Sequence, residues 1–129
     1  MPASISCVTF PVDDLQKSIT FYQNGLGLTL EEQDDDSAIF DVDGVSLTLM
    51  NRSEFGAYVE RLNHRPAARG AAETIISFFT ESKGEVDSVM AQAQRAGAQI
   101  VAASDEDGVY SGYFTDPDGH TWEVLFDGE

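Results

Sequence analysis

The chain is poor in the residues that most often announce a specific chemistry. Cys7 is its only cysteine, so neither an internal disulfide nor a zinc-thiolate cluster can form within it. Its two histidines, His64 and His120, leave few imidazoles for a metal or for proton transfer. Seven Lys and Arg stand against 23 Asp and Glu, a formal charge of -16. That balance excludes nucleic acid and anionic membrane surfaces as partners, because both are held by clustered basic residues. No apolar stretch approaches the roughly 20 residues of a membrane span, and the opening residues lack the basic and apolar regions of a secretion signal. These absences predict a cytoplasmic protein forming one domain over residues 1–129. The acidity reads first as solubility and second as a preference for a cationic ligand. Of the scarce cations, Arg52, Arg61, Arg65 and Arg69 fall together in the middle segment; an anionic ligand would find its contacts there.

What is present is a repeated order of elements. Ile5 to Val12 is an apolar, β-rich run that reads as a strand, with Pro11 suiting an edge or exit. Asp13 or Asp14 caps a following helix, Gln16 stands at capping-box distance from Asp13, and Leu15, Ile19, Tyr22 and Leu26 form one apolar stripe. Gly25 and Gly27 end it. Strands are predicted over Leu28 to Glu32, Ala38 to Val42 and Val45 to Met50, the last two joined by Asp43-Gly44, a hairpin signal. The second half repeats the pattern: a strand over Thr74 to Thr80, a helix capped by Ser82 with Glu85 three residues on, a stop at Gly97, then strands over Gln99 to Ala102, Val109 to Phe114 and Thr121 to Phe126, the first two joined by a charged turn at Asp105 to Gly108. The chain is thus two βαβββ modules, residues 1–51 and 73–129, with a crossover over 52–72. Within the crossover, Glu54 to Leu62 has helical periodicity and Pro66, Arg69 and Gly70 mark a loop; the segment is read as a link rather than a lid.

The second module closes on Tyr113-Phe114-Thr115-Asp116-Pro117-Asp118-Gly119-His120-Thr121-Trp122-Glu123-Val124. Pro117 presets a turn angle, Asp116 and Asp118 can bond the turn's own amides, and Gly119 takes the strained position. With Val12-Asp13-Asp14-Leu15 and Phe21 to Leu28, this run resembles the vicinal oxygen chelate superfamily of glyoxalase I, bleomycin resistance proteins and extradiol dioxygenases. The resemblance implies an α+β fold in which the paired modules form a cup-shaped mixed sheet. It also implies a homodimer and, in the enzymes, a divalent metal held by histidines and glutamates from the first and last strand of each module.

Mapped onto this chain, the ligand positions implied by the resemblance fall on Cys7, Thr48, Thr74 or Ile75, and Glu123. A hydroxyl or alkyl group does not replace an imidazole or carboxylate toward a divalent ion, so no metal or other cofactor is expected, the alternative being a divalent metal at Glu123. Strand alternation puts His120 and Trp122 on the face opposite Glu123, packed under the helices, and leaves Glu123 and Thr121 facing the cup. His64 reads as a surface loop residue. Glu123 is then a relic of a metal site, a general base in a metal-free pocket, or a carboxylate satisfied by Thr and Tyr hydroxyls. Cys7, Thr9, Thr48, Thr74, Ser77, Tyr113 and Thr121 are the candidate ligand-binding residues beside it, and Tyr110 is a further candidate for the cup wall. The expected function is binding of a small organic ligand, reaction unassigned. A metal-dependent glyoxalase I-like lyase or dioxygenase, a drug-sequestering resistance protein, and a metal-free isomerase or lyase using Glu123 as base are the alternatives.

Overall fold

The computed structural model describes residues 2–128. Its elements run β1 (Cys7–Val12), α1 (Leu15–Gly25), β2 (Thr29–Gln33), β3 (Ser37–Val42), β4 (Val45–Asn51), α2 (Arg52–Arg61), β5 (Ile75–Phe79), α3 (Lys83–Arg95), β6 (Gln99–Glu106), β7 (Val109–Thr115) and β8 (Thr121–Asp127). The fold is α+β, as expected: two mixed four-stranded sheets ordered β1-β4-β3-β2 and β5-β8-β7-β6. In each, the first strand of the module runs parallel to the last. No helix among the described residues is long and apolar enough to cross a membrane.

Several boundaries move for local reasons. Ile5 and Ser6 precede β1, and Ile5 is exposed. Thr74 falls outside β5, which pairs with β8 only from Ile75 onward. The β6–β7 turn tightens to Asp107-Gly108, both at positive φ, so β6 runs four residues further than its apolar segment because the ladder continues through Ser104, Asp105 and Glu106. Asp14, not Asp13, caps α1 by accepting the Lys17 amide at 3.1 Å, and Gln16 receives a side-chain hydrogen bond from Gln33 instead of completing a capping box. Ser82 caps α3 as predicted, accepting the Glu85 amide at 3.1 Å, while the Glu85 carboxylate accepts the Glu81 amide.

One core serves both modules. Ile19, Phe21 and Tyr22 of α1 pack onto Phe10, Val12, Phe40 and Leu49 of their own sheet and onto Phe114 and Trp122 of the other. The Phe114 and Trp122 rings stack at 6.3 Å, and Tyr22 lies 5.8 Å from Trp122. Each such buried side chain contributes about 1.5–3 kcal/mol of apolar transfer. Two glycines sit at close approaches: a Cβ on Gly112 would stand 2.6 Å from Sδ of the flexible Met90 side chain, which would have to shift, and one on Gly25 would stand 3.1 Å from Ala96 Cβ. The helix-facing sides of the sheets therefore meet in one interior, and the alternate strand residues, on the opposite faces, are exposed or half-buried apart from Ser111.

The closing turn of the second module clamps the two together. Asp116 Oδ1 accepts the Asp118 and His120 amides at 2.9 Å, as a turn carboxylate should. Its other oxygen accepts the Tyr22 hydroxyl, which in turn accepts the Trp122 indole N–H at 3.1 Å. Burial raises the Asp116 carboxyl above its ordinary range, and burial together with the Asp116 charge raises the Tyr22 phenol well above its own. Asp118, expected to bond its own turn, reaches across to accept the Asp13 amide at 2.9 Å and the Ser18 hydroxyl at 3.2 Å. Both aspartates are buried and fully engaged, which is the condition under which a buried carboxylate is tolerated.

Candidate functional site

The side chain of Glu123 lies on the face of β8 opposite Trp122 and Val124, which are buried against the helices; alternation had assigned these faces correctly. The register sets Ser77 and Tyr113 directly opposite Glu123, on β5 and β7 respectively. Ser77 Oγ donates to Oε1 and Tyr113 Oη donates to Oε2, each at 2.7 Å. Both oxygens are thereby oriented, and Glu123 is half-buried. Accepting the Tyr113 hydroxyl, Glu123 raises that phenol above its ordinary value, with burial and the carboxylate charge adding in the same direction. Tyr113 is therefore a protonated donor at neutral pH.

The first module carries a softer counterpart. Cys7 Sγ lies 3.1 Å from Thr48 Oγ1 and 3.7 Å from Thr9 Oγ1. Thr48 pairs with Thr9 across the β1–β4 ladder as Glu123 pairs with Ser77 across β5–β8. The position facing Glu123 is therefore Ser77, the counterpart of Thr9, and the counterpart of Cys7 falls two residues earlier on Ile75, one of the two positions expected. Thr74 is exposed outside the strand, and Ile75 stands opposite Thr121.

The candidate residues thus separate into groups. Ser77, Tyr113 and Glu123 form one cluster, and Cys7, Thr9 and Thr48 another. Thr9, Thr74 and Thr121 also line a cavity of about 300 Å³ under the crossover, with His120, Phe55 and Arg65. Tyr110 is on the other face of β7, donating to Asp87 on α3; three residues from Tyr113, its opposite parity was readable from alternation alone. His120 does not pack beneath a helix. It sits at the seam, its ring stacked 4.2 Å from Phe10 and Nε2 at 2.7 Å from the Pro11 carbonyl, which makes Nε2 the protonated nitrogen.

The arginines are occupied differently from the sequence expectation. Arg52 and Arg69 both pair with Asp13 and approach Asp118, and Arg69 Nη2 donates to the Pro117 carbonyl at 2.7 Å. Arg52, by hydrogen bonding, holds the Asp13 carboxyl below its ordinary range, with Arg69 adding to the effect. Arg61 lies over the Tyr58 ring. The crossover is tied to the seam by these pairs, and Arg52 and Arg69 are committed to structure. Their role was invisible in sequence because Asp13 and Asp118 are distant from them and from each other along the chain.

A divalent metal, which the family resemblance implies for the enzymes, would need basic N or O donors converging on one point. No group of three or more His, Cys, Asp or Glu side chains able to hold an ion occurs among the described residues. The donors beside Glu123 are two neutral hydroxyls, both turned toward the carboxylate. This donor set does not fit such an ion.

With the paired modules and the open-face carboxylate in place, the class of protein is defined: residues 4–124 match the Glyoxalase/Bleomycin resistance protein/Dioxygenase superfamily, and the chain belongs to that family. Among individual relatives, it is 33% identical over 122 residues to the metallothiol transferase FosB of Lysinibacillus sphaericus, covering 93% of this chain and 79% of that protein. It is 29% identical to the glutathione transferase FosA of Serratia marcescens, covering 96% of this chain and 81% of that protein. The fold is shared with a glyoxalase-related enzyme from Fulvimarina pelagi, at a TM-score of 0.82 and 23% identity, over 98% of this chain and 95% of that one. It is shared also with the fosfomycin resistance protein FosX of Listeria monocytogenes, at a TM-score of 0.77 and 22% identity, over 99% and 96% of the two chains.

Proposed function

We propose that the protein binds a small organic molecule against the open faces of its two sheets, and that Glu123 accepts a hydrogen bond or a proton from it without a metal. The observation that carries this reading is the orientation of Glu123 by Ser77 and Tyr113, each donating at 2.7 Å. Two hydroxyl donors orient the carboxylate and leave its remaining lone pairs for a ligand. Proton abstraction next to a carbonyl, as an isomerase or lyase performs it, is the reaction class this arrangement serves, with Tyr113 as the adjacent donor. Glu123→Gln should lower turnover of an identified substrate by about 10²-fold or more; unchanged turnover would remove Glu123 from the chemistry and leave a binding protein that sequesters its ligand.

A metal-dependent reading is favoured by one observation, the 33% identity to a metallothiol transferase. It requires stoichiometric divalent metal in the purified protein and loss of activity on chelation. That result would overturn the metal-free reading.

The protein acts as a homodimer in the cytoplasm in this proposal. Phe79, on the same strand and face as Ser77, is 69% exposed, and Val101 is 59% exposed, apolar surface that a second copy would cover. Sedimentation at micromolar concentration tests the dimer, a monomer being the contrary outcome.

A further inference from the structure

The crossover lies over a cavity of about 300 Å³, at the lower end of the roughly 300–1,000 Å³ range of small-molecule sites. Residues 65–72 line it from the crossover, and Thr9, Pro11, His120 and Thr121 line it from the two sheets and the closing turn. Little holds the covering segment down. Residues 61–75 are all exposed, and the run Pro66-Ala67-Ala68-Arg69-Gly70-Ala71-Ala72 has one long side chain among alanines, whose methyl groups bury little apolar area. Within the run the Ala71 amide donates to the Ala68 carbonyl at 3.0 Å. Among the described residues, both hydrogen bonds that join 65–74 to the rest of the molecule are donated by Arg69: Nε to Asp13 Oδ2, and Nη2 to the Pro117 carbonyl at 2.7 Å. Beside it the backbone of Gly70 rests on the closing turn, where a Cβ on Gly119 would stand 3.3 Å from Gly70 Cα.

We propose that this segment is a strap over the cavity, latched by Arg69 to Asp13 and to the Pro117 carbonyl, and that release of the latch opens the cavity to small molecules. The gating holds whatever the role of Glu123. Arg69 and Asp13 are 52% and 45% exposed, and an ion pair that open shifts an equilibrium by about fivefold or less. A latch of that strength keeps the strap down most of the time and yields in a local opening, well before the fold does. Because the strap carries alanines, lifting it uncovers no core. Its docking point stays in place meanwhile: Asp13 is held from the other side by Arg52 at the start of α2, and Asp118, which Arg69 also approaches at 3.8 Å, is fixed by the Asp13 amide and the Ser18 hydroxyl. The strap therefore closes onto a preformed seat.

Thr121→Cys in a Cys7→Ser background places the chain's only thiol on the cavity lining. Its alkylation by iodoacetamide, a small uncharged reagent, normalised to the urea-unfolded protein, reads how often the cavity opens. Arg69→Gln should speed that alkylation by at least about threefold, while Arg65→Gln, which removes a cation from the same lining but no hydrogen bond found among the described residues, should change it by less than about twofold. Raising NaCl from about 0.05 M to about 1 M should speed the parent and leave Arg69→Gln nearly unchanged, because screening acts on the pair. In the chain without the introduced thiol, Arg69→Gln should raise amide hydrogen exchange in residues 65–73 and not in β7 or β8; this measurement carries the test alone where Thr121→Cys does not fold. Equal alkylation and exchange in the parent and Arg69→Gln would overturn the latch, as would an effect of Arg65→Gln as large as that of Arg69→Gln. Exchange rising in β7 and β8 together with the strap would also overturn it, making Arg69 a general brace of the fold.

Discussion

The two modules share a backbone plan and differ in what they place on it. Their parallel strand pairs set Thr9 opposite Thr48 in one and Ser77 opposite Glu123 in the other. Module one therefore presents a thiol and two hydroxyls, and module two a carboxylate held by two hydroxyls. The corresponding turns diverge as well. Asp43 is an exposed hairpin residue at φ 51, whereas Asp116 and Asp118 are buried and bind across the seam. One module presents a neutral set of side chains, while the other carries both the clamp between the modules and the oriented carboxylate. The lesson is that a repeat fixes where a side chain stands and leaves open what it does.

The contrast between turns gives the largest expected effect. Asp118→Ala leaves the Asp13 amide and the Ser18 hydroxyl without their buried acceptor, and should cost about 2–4 kcal/mol by urea denaturation. Asp43→Asn, at a positive-φ site that asparagine tolerates, should change stability by less than about 0.5 kcal/mol. Equal effects would dissolve the comparison. The contrast between open faces comes next: beside the loss expected of Glu123→Gln, Thr48→Val should alter turnover by only about threefold or less, because its hydroxyl contacts only Cys7. A comparable loss in both would make module one an equal participant.

A third, smaller effect concerns pH. Asp13 has its folded-state value depressed by Arg52 and Arg69, so its pairing stabilises the fold above the unfolded value of about 3.9 and is lost as pH falls through the lower folded value. Asp13 is 45% exposed, so screening holds the contribution to about 1 kcal/mol or less. The stability difference between wild type and Asp13→Asn should be full near neutrality and shrink below about pH 4. A difference independent of pH would show that the Asp13 charge contributes nothing to stability. Smallest of all, Cys7→Ser should shift stability by less than about 0.5 kcal/mol, since an exposed thiol gives up little burial.

How much of this was legible depends on the range of the interaction that decides it. Element order, the Asp43-Gly44 hairpin, the Ser82 cap and the facing of Glu123 away from Trp122 follow from neighbours within a few residues, and each was read correctly. Tyr113 and Ser77 were named as candidates, but their joint grip on Glu123 needed the ladder between β5, β8 and β7. Thr74 was expected to begin β5, which starts one residue later, because the start of a parallel strand is set by a partner far away in sequence. The clamp was harder still. Asp118 looked like an ordinary turn residue, and only the approach of α1 turns its carboxylate toward Ser18 and Asp13.

Trp122 is the chain's only tryptophan, and it borders a cavity of about 550 Å³ between the two sheets while its indole N–H is engaged by Tyr22 across the seam. The protein thereby carries a native optical probe at the junction of its two halves. Quenching or a spectral shift on adding a compound would report occupancy of that cavity, on the other face of the sheet from Glu123, and a red shift on denaturation would time the parting of the modules, both without any label.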